Sequence, residues 1–273
     1  MIGALVNGVP ASTIALTDRG LHYGDGLFET LAVRDGEPEM WTRHMARLCH
    51  GATRLKLPPP ATERLHDEAR QLCRGIERGV LKLILTRGSG GRGYRPPDPA
   101  QPTRLLTVWP WPEYPEHWPR EGVVVRWCQT RLGHSPALAG IKHLGRLEQV
   151  LARAEWDDPA IAEGLLLDST GHVVEGTMSN LFWVEQGRLL TPLLEGCGVR
   201  GIQRERVIEV AQAMGIETVE TRLSPERLCA ADELFLTNRI IGLWPVRQLD
   251  AQHWKAPGPL TTRLLSALQS SAC

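Results

Sequence analysis

Chemistry that requires a primary amine has few candidates in this chain of 273 residues. Of its 31 basic residues only four are lysines, at positions 56, 82, 142 and 255. The others are arginines, which stay protonated in proteins and cannot replace an amine that must lose its proton. Lys142 lies between a predicted strand and a predicted helix, and no other lysine follows until Lys255. On the residue pattern alone, a surface lysine is the alternative interpretation.

A phosphate site is indicated by the stretch EGCGVRGIQRERVIEVAQAMG, residues 195–215. Gly196, Gly198 and Gly201 precede a predicted amphipathic helix. A helix N-terminus after such a turn offers free backbone N–H groups and the positive end of the helix dipole, and both suit a phosphate. Many helices start after glycine, so this pattern alone is a weak signal.

Two further segments contain groups that bind phosphate. Thr237 and Asn238 end a predicted strand, where small polar side chains and backbone N–H groups can bind an anion. Arg43, Arg47 and Arg54 lie near one face of a predicted helix. Such a stripe is usually solvated, but one of these guanidinium groups could turn inward and bind phosphate in a bidentate manner.

A third glycine-rich segment, LTRGSGGRGYRPP at residues 85–97, matches the pattern G-x-G-x-x-G at Gly88, Gly90 and Gly93. A dinucleotide site requires such a loop to lead directly into a helix that faces the pyrophosphate. Here the prolines of YRPPDPAQP follow, and they prevent a helix from starting. The sequence therefore predicts either a flexible hairpin connection or a functional lid or binding loop.

Composition limits the classes of partner. The net charge is zero, with 31 basic and 31 acidic residues, which argues against electrostatic binding to nucleic acid or to an anionic membrane. There is no apolar run of transmembrane length and no signal peptide pattern. The six cysteines are scattered, at positions 49, 73, 128, 197, 229 and 273, and we interpret them as reduced, mostly buried thiols of a cytoplasmic protein. No metal site is expected.

The elements that would position these residues form two predicted domains. Residues 1–109 are predicted to form a small α+β domain, with turns at Asn7-Gly8 and Asp35-Gly36 and helices over 41–56 and 62–78. Residues 110–120 are rich in proline and tryptophan, and we interpret them as a linker that is neither helix nor central strand, a long surface loop being the alternative.

Residues 121–273 are predicted to form a larger domain with a mixed sheet or barrel-like core. Its predicted helices are 144–157, 201–214, 224–229 and 259–269, and its strands include GVVVRWCQTRL, a meander over 164–192, 216–221 and ELFLTN.

Several motifs, in this order, carry a family resemblance: YGDGLFET (23–30), HMARL (44–48), GIKHLGRLEQVLAR (140–153), VVEGTMSNLFWV (173–184), GVRGIQRERV (198–207) and LTNRIIGLWPV (236–246). The chain resembles the fold-type IV pyridoxal-phosphate enzymes, which include branched-chain aminotransferases, D-amino acid aminotransferases and aminodeoxychorismate lyases. The resemblance covers nearly the whole chain. It implies the two-domain α+β and α/β fold of D-amino acid aminotransferases.

The resemblance also implies roles for named residues toward pyridoxal 5'-phosphate. Lys142 matches the Schiff-base lysine. Glu175 matches the carboxylate that pairs with the pyridine nitrogen and keeps it protonated, so that the ring can take up negative charge. From the residue pattern alone, Glu175 could equally be a half-exposed acid in a strand. The matching phosphate ligands are Arg47, the backbone amides of Gly201 and Ile202, and the turn of Thr237 and Asn238.

Within the family, two features resemble the aminodeoxychorismate lyases. They are the stretches RGSGGRGY (87–94) and KHLGRLEQV (142–150). Aminotransferases tend to carry a tyrosine five residues after the lysine, and Leu147 stands there instead. The resemblance therefore implies conversion of 4-amino-4-deoxychorismate to 4-aminobenzoate and pyruvate through an external aldimine, in folate biosynthesis. An aminotransferase acting on branched-chain or D-amino acids is the alternative, and a phosphate-binding protein without catalysis is a more distant one.

The substrate of such a lyase carries two carboxylates, and a neutral protein must offer them local cationic or hydrogen-bonding groups. Arg92 and Tyr94 in the glycine-rich loop are the first candidates, and Thr30 and His22 are further ones. The resemblance also implies a homodimer with the active site near the subunit interface.

Overall fold

The computed structural model describes residues 1–270, and contacts within it divide the chain into two compact units. Unit 1 consists of Met1–Glu113 together with Ile141–Arg146. Unit 2 consists of Tyr114–Gly140 and the chain from Leu147 onward. The chain therefore passes from unit 1 to unit 2 inside the proline-rich segment. Six residues around Lys142 then belong to unit 1 again.

Unit 1 has a six-stranded sheet in the order β2-β1-β6-β5-β3-β4, in which neighbouring strands are antiparallel. Its elements are β1 (Gly3–Val6), β2 (Val9–Pro10), α1 (Arg19–Tyr23), β3 (Gly26–Arg34), β4 (Glu37–Pro38), α2 (Trp41–Arg54), α3 (Thr62–Cys73), β5 (Arg78–Thr86) and β6 (Arg104–Pro110). The predicted turns are confirmed, since Asn7 and Gly8, and likewise Asp35 and Gly36, have the positive φ angles of a type I′ hairpin.

The core of unit 1 lies between this sheet and helices α2 and α3. On α2, Met45, Leu48 and Ala52 are buried and form the apolar face of the helix. Leu27 and Leu31 of β3 are buried too, and a Cβ added at Gly51 of α2 would lie 2.9 Å from the side chain of Leu27. Helix α2 therefore packs against β3.

Unit 2 is built on a nine-stranded mixed sheet that closes into a barrel. Its elements are α4 (Trp118–Glu121), β7 (Val123–Leu132), α5 (Leu147–Arg153), β8 (Ile161–Asp168), β9 (Val173–Gly176), β10 (Asn180–Glu185), β11 (Arg188–Pro192), α6 (Ile202–Ala213), β12 (Thr218–Thr221), α7 (Pro225–Cys229), β13 (Glu233–Asn238), β14 (Gly242–Leu249), β15 (Gln252–His253) and α8 (Pro259–Ser270).

The ring of strands runs β10-β13-β14-β7-β8-β9 and returns to β10 through the pair Asn180–Glu175. Strands β11 and β12 extend the sheet beside β10. Trp183 and Trp244 are fully buried in one core, and Phe182 stacks on Phe235 in a second core beneath α6 and α8. The predicted mixed or barrel-like core of the larger domain is confirmed.

Several predicted element limits were wrong. The helix predicted over 62–78 ends at Cys73, because the backbone carbonyls of residues 76 and 77 instead accept hydrogen bonds from the turn at Asp35 and Gly36. The helix predicted over 144–157 is confined to Leu147–Arg153, because the chain before it pairs with β3.

Several further elements were not predicted. One turn of helix, Trp118–Glu121, occupies the end of the proline-rich segment, since proline is tolerated in the first turn of a helix. Helix α1 and strand β14 were not predicted either. Across residues 1–270, none of the helices combines the length and apolarity needed to cross a membrane.

Candidate active site

Lys142 is held at the edge of the unit 1 sheet by its backbone. The N–H of Phe28 donates to the carbonyl of Lys142 at 2.9 Å, and the N–H of Leu144 donates to the carbonyl of Gly26 at 3.0 Å. A bridge between Leu27 and His143 lies between these two bonds. Residues 142–144 therefore act as a short extra strand beside β3, and this pairing fixes the direction of the lysine side chain.

The amine of Lys142 lies over an aromatic ring. Its Nζ is 4.3 Å from the centroid of Phe28, and Nζ of Lys82 is 5.3 Å from the same centroid. Thr30 is two residues after Phe28 on β3, so its side chain lies on the same face of the strand. The structure thus brings Lys142 and Thr30, two of the predicted site residues, to one face of β3.

The residue after Lys142 is uncharged at neutral pH. Burial lowers the pKa of His143 to about 4, and the charge of Arg146 lowers it further in the same direction. The side chain of Arg146 in turn donates from Nε to the carbonyl of His143 at 2.9 Å. The amine of Lys142 therefore has a neutral imidazole as its neighbour in sequence.

Arg47, the predicted phosphate arginine, lies in a buried ion pair on α2. Its Nε donates to Oε1 of Glu29 at 2.9 Å, and its Nη2 donates to Oε2. Nδ1 of His44 is 2.7 Å from the same Oε2. Burial alone would raise the pKa of Glu29, but the charge and hydrogen bonds of Arg47 and His44 outweigh it and lower this pKa to about 2. Glu29 therefore stays ionised and fixes the orientation of the guanidinium.

We expect Glu29→Gln to lower the free energy of unfolding at pH 7 by about 3–5 kcal/mol, because it leaves buried cationic groups without their carboxylate. The pKa of Glu29 is lowered by folding, so its contribution is fully present above its usual pKa of 4.5 and is lost as the pH falls toward about 2. The difference between the two proteins should accordingly shrink between these pH values. Urea unfolding at pH 7, 5 and 3 measures it.

The matched control for this variant is Glu37→Gln. Glu37 pairs with Arg70 at 2.8 Å, but both side chains are more than half exposed, so the expected loss is about 0–1 kcal/mol. Equal losses in the two variants would contradict a special role for the buried pair.

Glu175, the predicted partner of the pyridine nitrogen, is buried at the end of β9 in unit 2. Its Oε2 accepts from the backbone N–H of Val199 at 2.8 Å and from Nδ2 of Asn180 at 3.3 Å. The same Nδ2 donates to the carbonyl of Val199 at 2.8 Å. The carboxylate is therefore held in one orientation by groups on two different segments.

Asn180 connects the predicted nitrogen site with the predicted phosphate site. It pairs in register with Glu175 on β9 and with Thr237 on β13. Gly201 approaches it so closely that an added Cβ would lie 2.1 Å from Asn180 Oδ1. Sequence reasoning missed Asn180 as a site residue, although it lies in the quoted motif VVEGTMSNLFWV, five residues after Glu175.

A second buried carboxylate, Glu163 of β8, holds the turn between β9 and β10. It accepts hydrogen bonds from the N–H groups of residues 164, 177 and 178 and from the hydroxyls of Thr177 and Ser179. Burial raises the pKa of Glu163 above its usual range, although these donors act in the opposite direction. Sequence reasoning missed this residue as well, because nothing in its local pattern indicates that five donors converge on it.

The predicted phosphate cup lies at the N-terminus of α6. Gly201 is the N-cap residue, with extended φ and ψ angles, and Ile202 is the first residue of the helix. Gly201 has no side chain with which to cap this end, so it leaves the first N–H groups of the helix available in the way that a phosphate site at a helix N-terminus requires.

The second predicted phosphate segment forms the turn between β13 and β14. The hydroxyl of Thr237 donates to the carbonyl of Gly242, and Oδ1 of Asn238 accepts from the N–H groups of Ile240 and Ile241. Both side chains thus order the turn itself. The next residue, Arg239, directs Nη1 toward Oε1 of Gln203 in the first turn of α6, at 3.4 Å. Sequence reasoning missed Arg239, a cation at the predicted phosphate cup.

The four predicted substrate residues lie in unit 1 but differ in environment. Arg92 and Tyr94 are exposed on the loop after β5, and Tyr94 is 85% exposed. His22 is exposed on α1 with Nε2 against the carbonyl of Leu16. Thr30 is half-buried on β3. Their roles toward a substrate stay predictions.

Each unit, taken by itself, offers groups of the kinds that pyridoxal 5'-phosphate requires. Lys142 offers a primary amine, and Glu175 offers a buried, oriented carboxylate for a pyridine nitrogen. The N-terminus of α6 offers backbone donors for a phosphate. Glycine at position 201 lets the backbone of this N-terminus approach Asn180 more closely than any residue with a Cβ could. Within residues 1–270, no group of three or more His, Cys, Asp or Glu side chains is arranged to hold a metal ion.

Comparison with known proteins identifies the family of the chain. The model of the amino-transferase class IV family matches residues 26–249, and the chain belongs to this family. Proteins of the family depend on pyridoxal 5'-phosphate.

Two aminodeoxychorismate lyases are similar to the chain over nearly its whole length. The protein of Vibrio harveyi is 37% identical over 97% of this chain and 99% of its own. The crystal structure of 4-amino-4-deoxychorismate lyase from Pseudomonas aeruginosa is 48% identical, with a TM-score of 0.95 and 98% of each chain covered. The branched-chain aminotransferase of Escherichia coli is 26% identical, with a TM-score of 0.86 over 98% of this chain and 94% of that one.

Proposed function

We propose that the chain is an aminodeoxychorismate lyase that converts 4-amino-4-deoxychorismate to 4-aminobenzoate and pyruvate, a step toward folate. The observation that carries this proposal is the similarity to two lyases, at 37% and 48% identity, against 33% to a putative branched-chain aminotransferase of Methanocaldococcus jannaschii and 26% to the E. coli aminotransferase. Leu147 supports the same conclusion. It stands where aminotransferases tend to carry a tyrosine, and it is 76% exposed at the start of α5.

The cofactor-binding residues are proposed from the family resemblance, and the contacts described above support them. Lys142 would hold the cofactor covalently between turnovers, and Glu175 would pair with its pyridine nitrogen. Arg47, the amides of Gly201 and Ile202 and the turn of Thr237 and Asn238 would bind its phosphate. The ion pair of Arg47 with Glu29 supports this role, since it holds the guanidinium in one orientation.

When bound, pyridoxal phosphate acts as an electron sink for the substrate carbon that carries the amine. The side chains of the protein transfer the proton and stabilise the charge that develops. Nζ of Lys142 takes the proton from the amine-bearing carbon, and Glu175 keeps the pyridine nitrogen protonated while negative charge develops. The C–O bond to the enolpyruvyl group then breaks, and its electron pair leaves with the oxygen.

Lys142 returns the proton to the methylene carbon of the leaving group, which gives pyruvate, and the ring becomes aromatic. One amine that acts first as base and then as acid suits a transfer over a short distance. Aromatisation drives the reaction, so no keto acid acceptor is consumed.

The two substrate carboxylates are received by the residues of unit 1. Arg92 supplies positive charge and Tyr94 a hydroxyl donor, both on the loop after β5. Thr30, beside Phe28 and Lys142 on β3, and His22 are further hydrogen-bonding groups.

The enzyme acts as a homodimer in the cytoplasm. Helix α5 supports the dimer, since its side chains Leu147, Val150 and Leu151 are 60% or more exposed in the single chain and such apolar groups are usually covered by a partner. Cysteines 49, 73, 128, 197 and 229 are free thiols, as expected in a reducing compartment, and Cys273 lies outside the described residues.

The lyase assay separates this function from transamination. We expect the purified protein, loaded with pyridoxal phosphate, to form 4-aminobenzoate and pyruvate in equal amounts from aminodeoxychorismate without any keto acid. A parallel assay offers leucine or D-alanine with 2-oxoglutarate. Transamination that exceeds lyase turnover, or a lyase reaction that requires keto acid, would assign the chain to the aminotransferases instead.

A further inference from the structure

Arg19, at the start of α1, is a buried cation outside the proposed site. Its side chain is 4% exposed, and its Nε donates to Asp25 at 2.8 Å. Arg87, also buried, donates to the same carboxylate at 2.8 Å. Burial acts to raise the pKa of Asp25, but hydrogen bonds and charges from Arg87 and Arg19 lower it overall, so the carboxylate stays ionised. One negative charge thus serves two guanidinium groups.

The remaining donors of Arg19 reach the glycine loop, which we define as residues 87–97. Nη1 donates to the carbonyl of Gly93 at 2.9 Å, and Nη2 donates to the carbonyl of Tyr94 at 3.0 Å. The guanidinium also lies 4.8 Å from the ring centroid of Tyr23. The hydroxyl of Tyr23 accepts from the N–H of Gly93 at 3.1 Å, and its ring meets that of Tyr94 edge-on at 5.5 Å.

Apolar packing does not hold this part of the glycine loop. A Cβ added at Gly91 or Gly93 would meet no heavy atom of the described residues within 4 Å, and Tyr94 is 85% exposed. Gly93 has a φ angle of +88°, which glycine adopts at little energetic cost. Because glycine has no side chain, it also leaves the backbone of the loop conformational freedom. The position of residues 93 and 94 therefore depends on polar contacts, and Arg19 and Tyr23 supply those described above.

We propose that Arg19 is a positioning residue for substrate specificity, which holds the glycine loop so that Arg92 and Tyr94 meet the substrate carboxylates. The proposal rests on the lyase function and on the roles of Arg92 and Tyr94 proposed above. Arg19 itself touches neither substrate nor cofactor. It acts through the backbone of the loop, since ordering the loop in advance lowers the entropy lost when substrate binds.

The experiment combines trypsin cleavage with kinetics on Arg19→Gln. The bond after Arg92 lies in the exposed part of the glycine loop, so the rate at which the fragment ending at Arg92 forms reports the freedom of the loop. Arg19→Gln removes two hydrogen bonds from a charged donor to the backbone of the loop, and such bonds are stronger than those between neutral groups. We therefore expect cleavage at least about tenfold faster, and a similar rise in KM for aminodeoxychorismate while kcat changes less than about threefold.

Two further variants complete the experiment, one as a second test of the loop contacts and one as a control. Tyr23→Phe removes the acceptor for Gly93 but leaves the pair of Arg19 and Asp25, so a smaller change in the same direction is expected even if Arg19→Gln folds poorly. Arg104→Gln is the matched control. The side chain of Arg104 donates to Glu68 in the same unit at 2.7 Å, whereas the carbonyls of Gly93 and Tyr94 accept from Arg19, so cleavage after Arg92 should stay at the wild-type rate.

Each outcome decides the proposal. Wild-type cleavage in both Arg19→Gln and Tyr23→Phe would overturn it, because the loop would then be held by other contacts. Faster cleavage with unchanged KM would also overturn it, since a freed loop would not matter to the substrate. If the wild-type protein does not act on aminodeoxychorismate, the lyase function itself fails, while the cleavage rates still report whether Arg19 holds the loop.

Discussion

Replacing Lys142 with alanine is expected to lower kcat for 4-aminobenzoate formation by at least about 10⁴-fold. General acid–base catalysis alone contributes about 10²–10⁴-fold, and this residue also acts as the covalent anchor of the cofactor. The measurement is 4-aminobenzoate release from aminodeoxychorismate. In the same samples, borohydride should fix the cofactor to the wild-type chain at Lys142 and should leave the variant unlabelled.

Lys82→Ala is the matched control, because Nζ of Lys82 lies over the same Phe28 ring, at 5.3 Å against 4.3 Å for Lys142. We expect Lys82→Ala to keep turnover within about threefold, the scale of a lost cation–π contact of about 0.5–1 kcal/mol. If Lys142→Ala retained turnover, or if borohydride labelled Lys82, the assignment of the catalytic amine would be wrong.

Glu175→Gln is expected to lower kcat on the order of 10²- to 10³-fold, the usual effect of removing one group that stabilises charge as it develops. Glutamine has nearly the same shape and can still accept from the N–H of Val199, but it cannot hold a proton on the pyridine nitrogen. Cofactor content, followed by absorbance, should therefore stay close to that of the wild type, and KM should change less than kcat.

A buried glutamate elsewhere in unit 2 provides the comparison. Glu233 accepts from the N–H groups of Leu260 and Thr261 at 2.9 and 2.8 Å, at the first turn of α8. Glu233→Gln should lower thermal stability and leave kcat unchanged. A fall of kcat in Glu233→Gln as large as in Glu175→Gln would attribute both effects to damaged packing.

Local sequence patterns predicted correctly the turns and the helix start that depend on interactions between residues close together in the chain. Asn7-Gly8 and Asp35-Gly36 specify their turns because few other residues adopt positive φ angles readily. The glycine turn before residue 202 predicted the N-terminus of α6 to within one residue. The prolines after Gly93 excluded a dinucleotide helix correctly, and that segment is irregular between β5 and β6.

Contacts between distant segments could not be predicted in the same way. The helix expected from residue 144 starts at Leu147, because residues 142–144 pair with β3, more than one hundred residues earlier in the chain. The carboxylate that orients Arg47 belongs to Glu29 on β3, and helical periodicity carries no information about it. Asn180, Glu163 and Arg19 were missed for the same reason, since their partners converge only when the chain is folded.

The barrel of unit 2 closes at the residue pair that contains Glu175, the carboxylate proposed to pair with the pyridine nitrogen. This position links the stability of the fold with the affinity for the cofactor. Strands β9 and β10 meet in the single register pair Asn180–Glu175. Whatever binds the closed ring better than an opened one adds its binding free energy to the stability of the fold. If Glu175 holds the cofactor as proposed, cofactor binding would stabilise the closed ring of strands, and closure of the barrel would in turn strengthen cofactor binding.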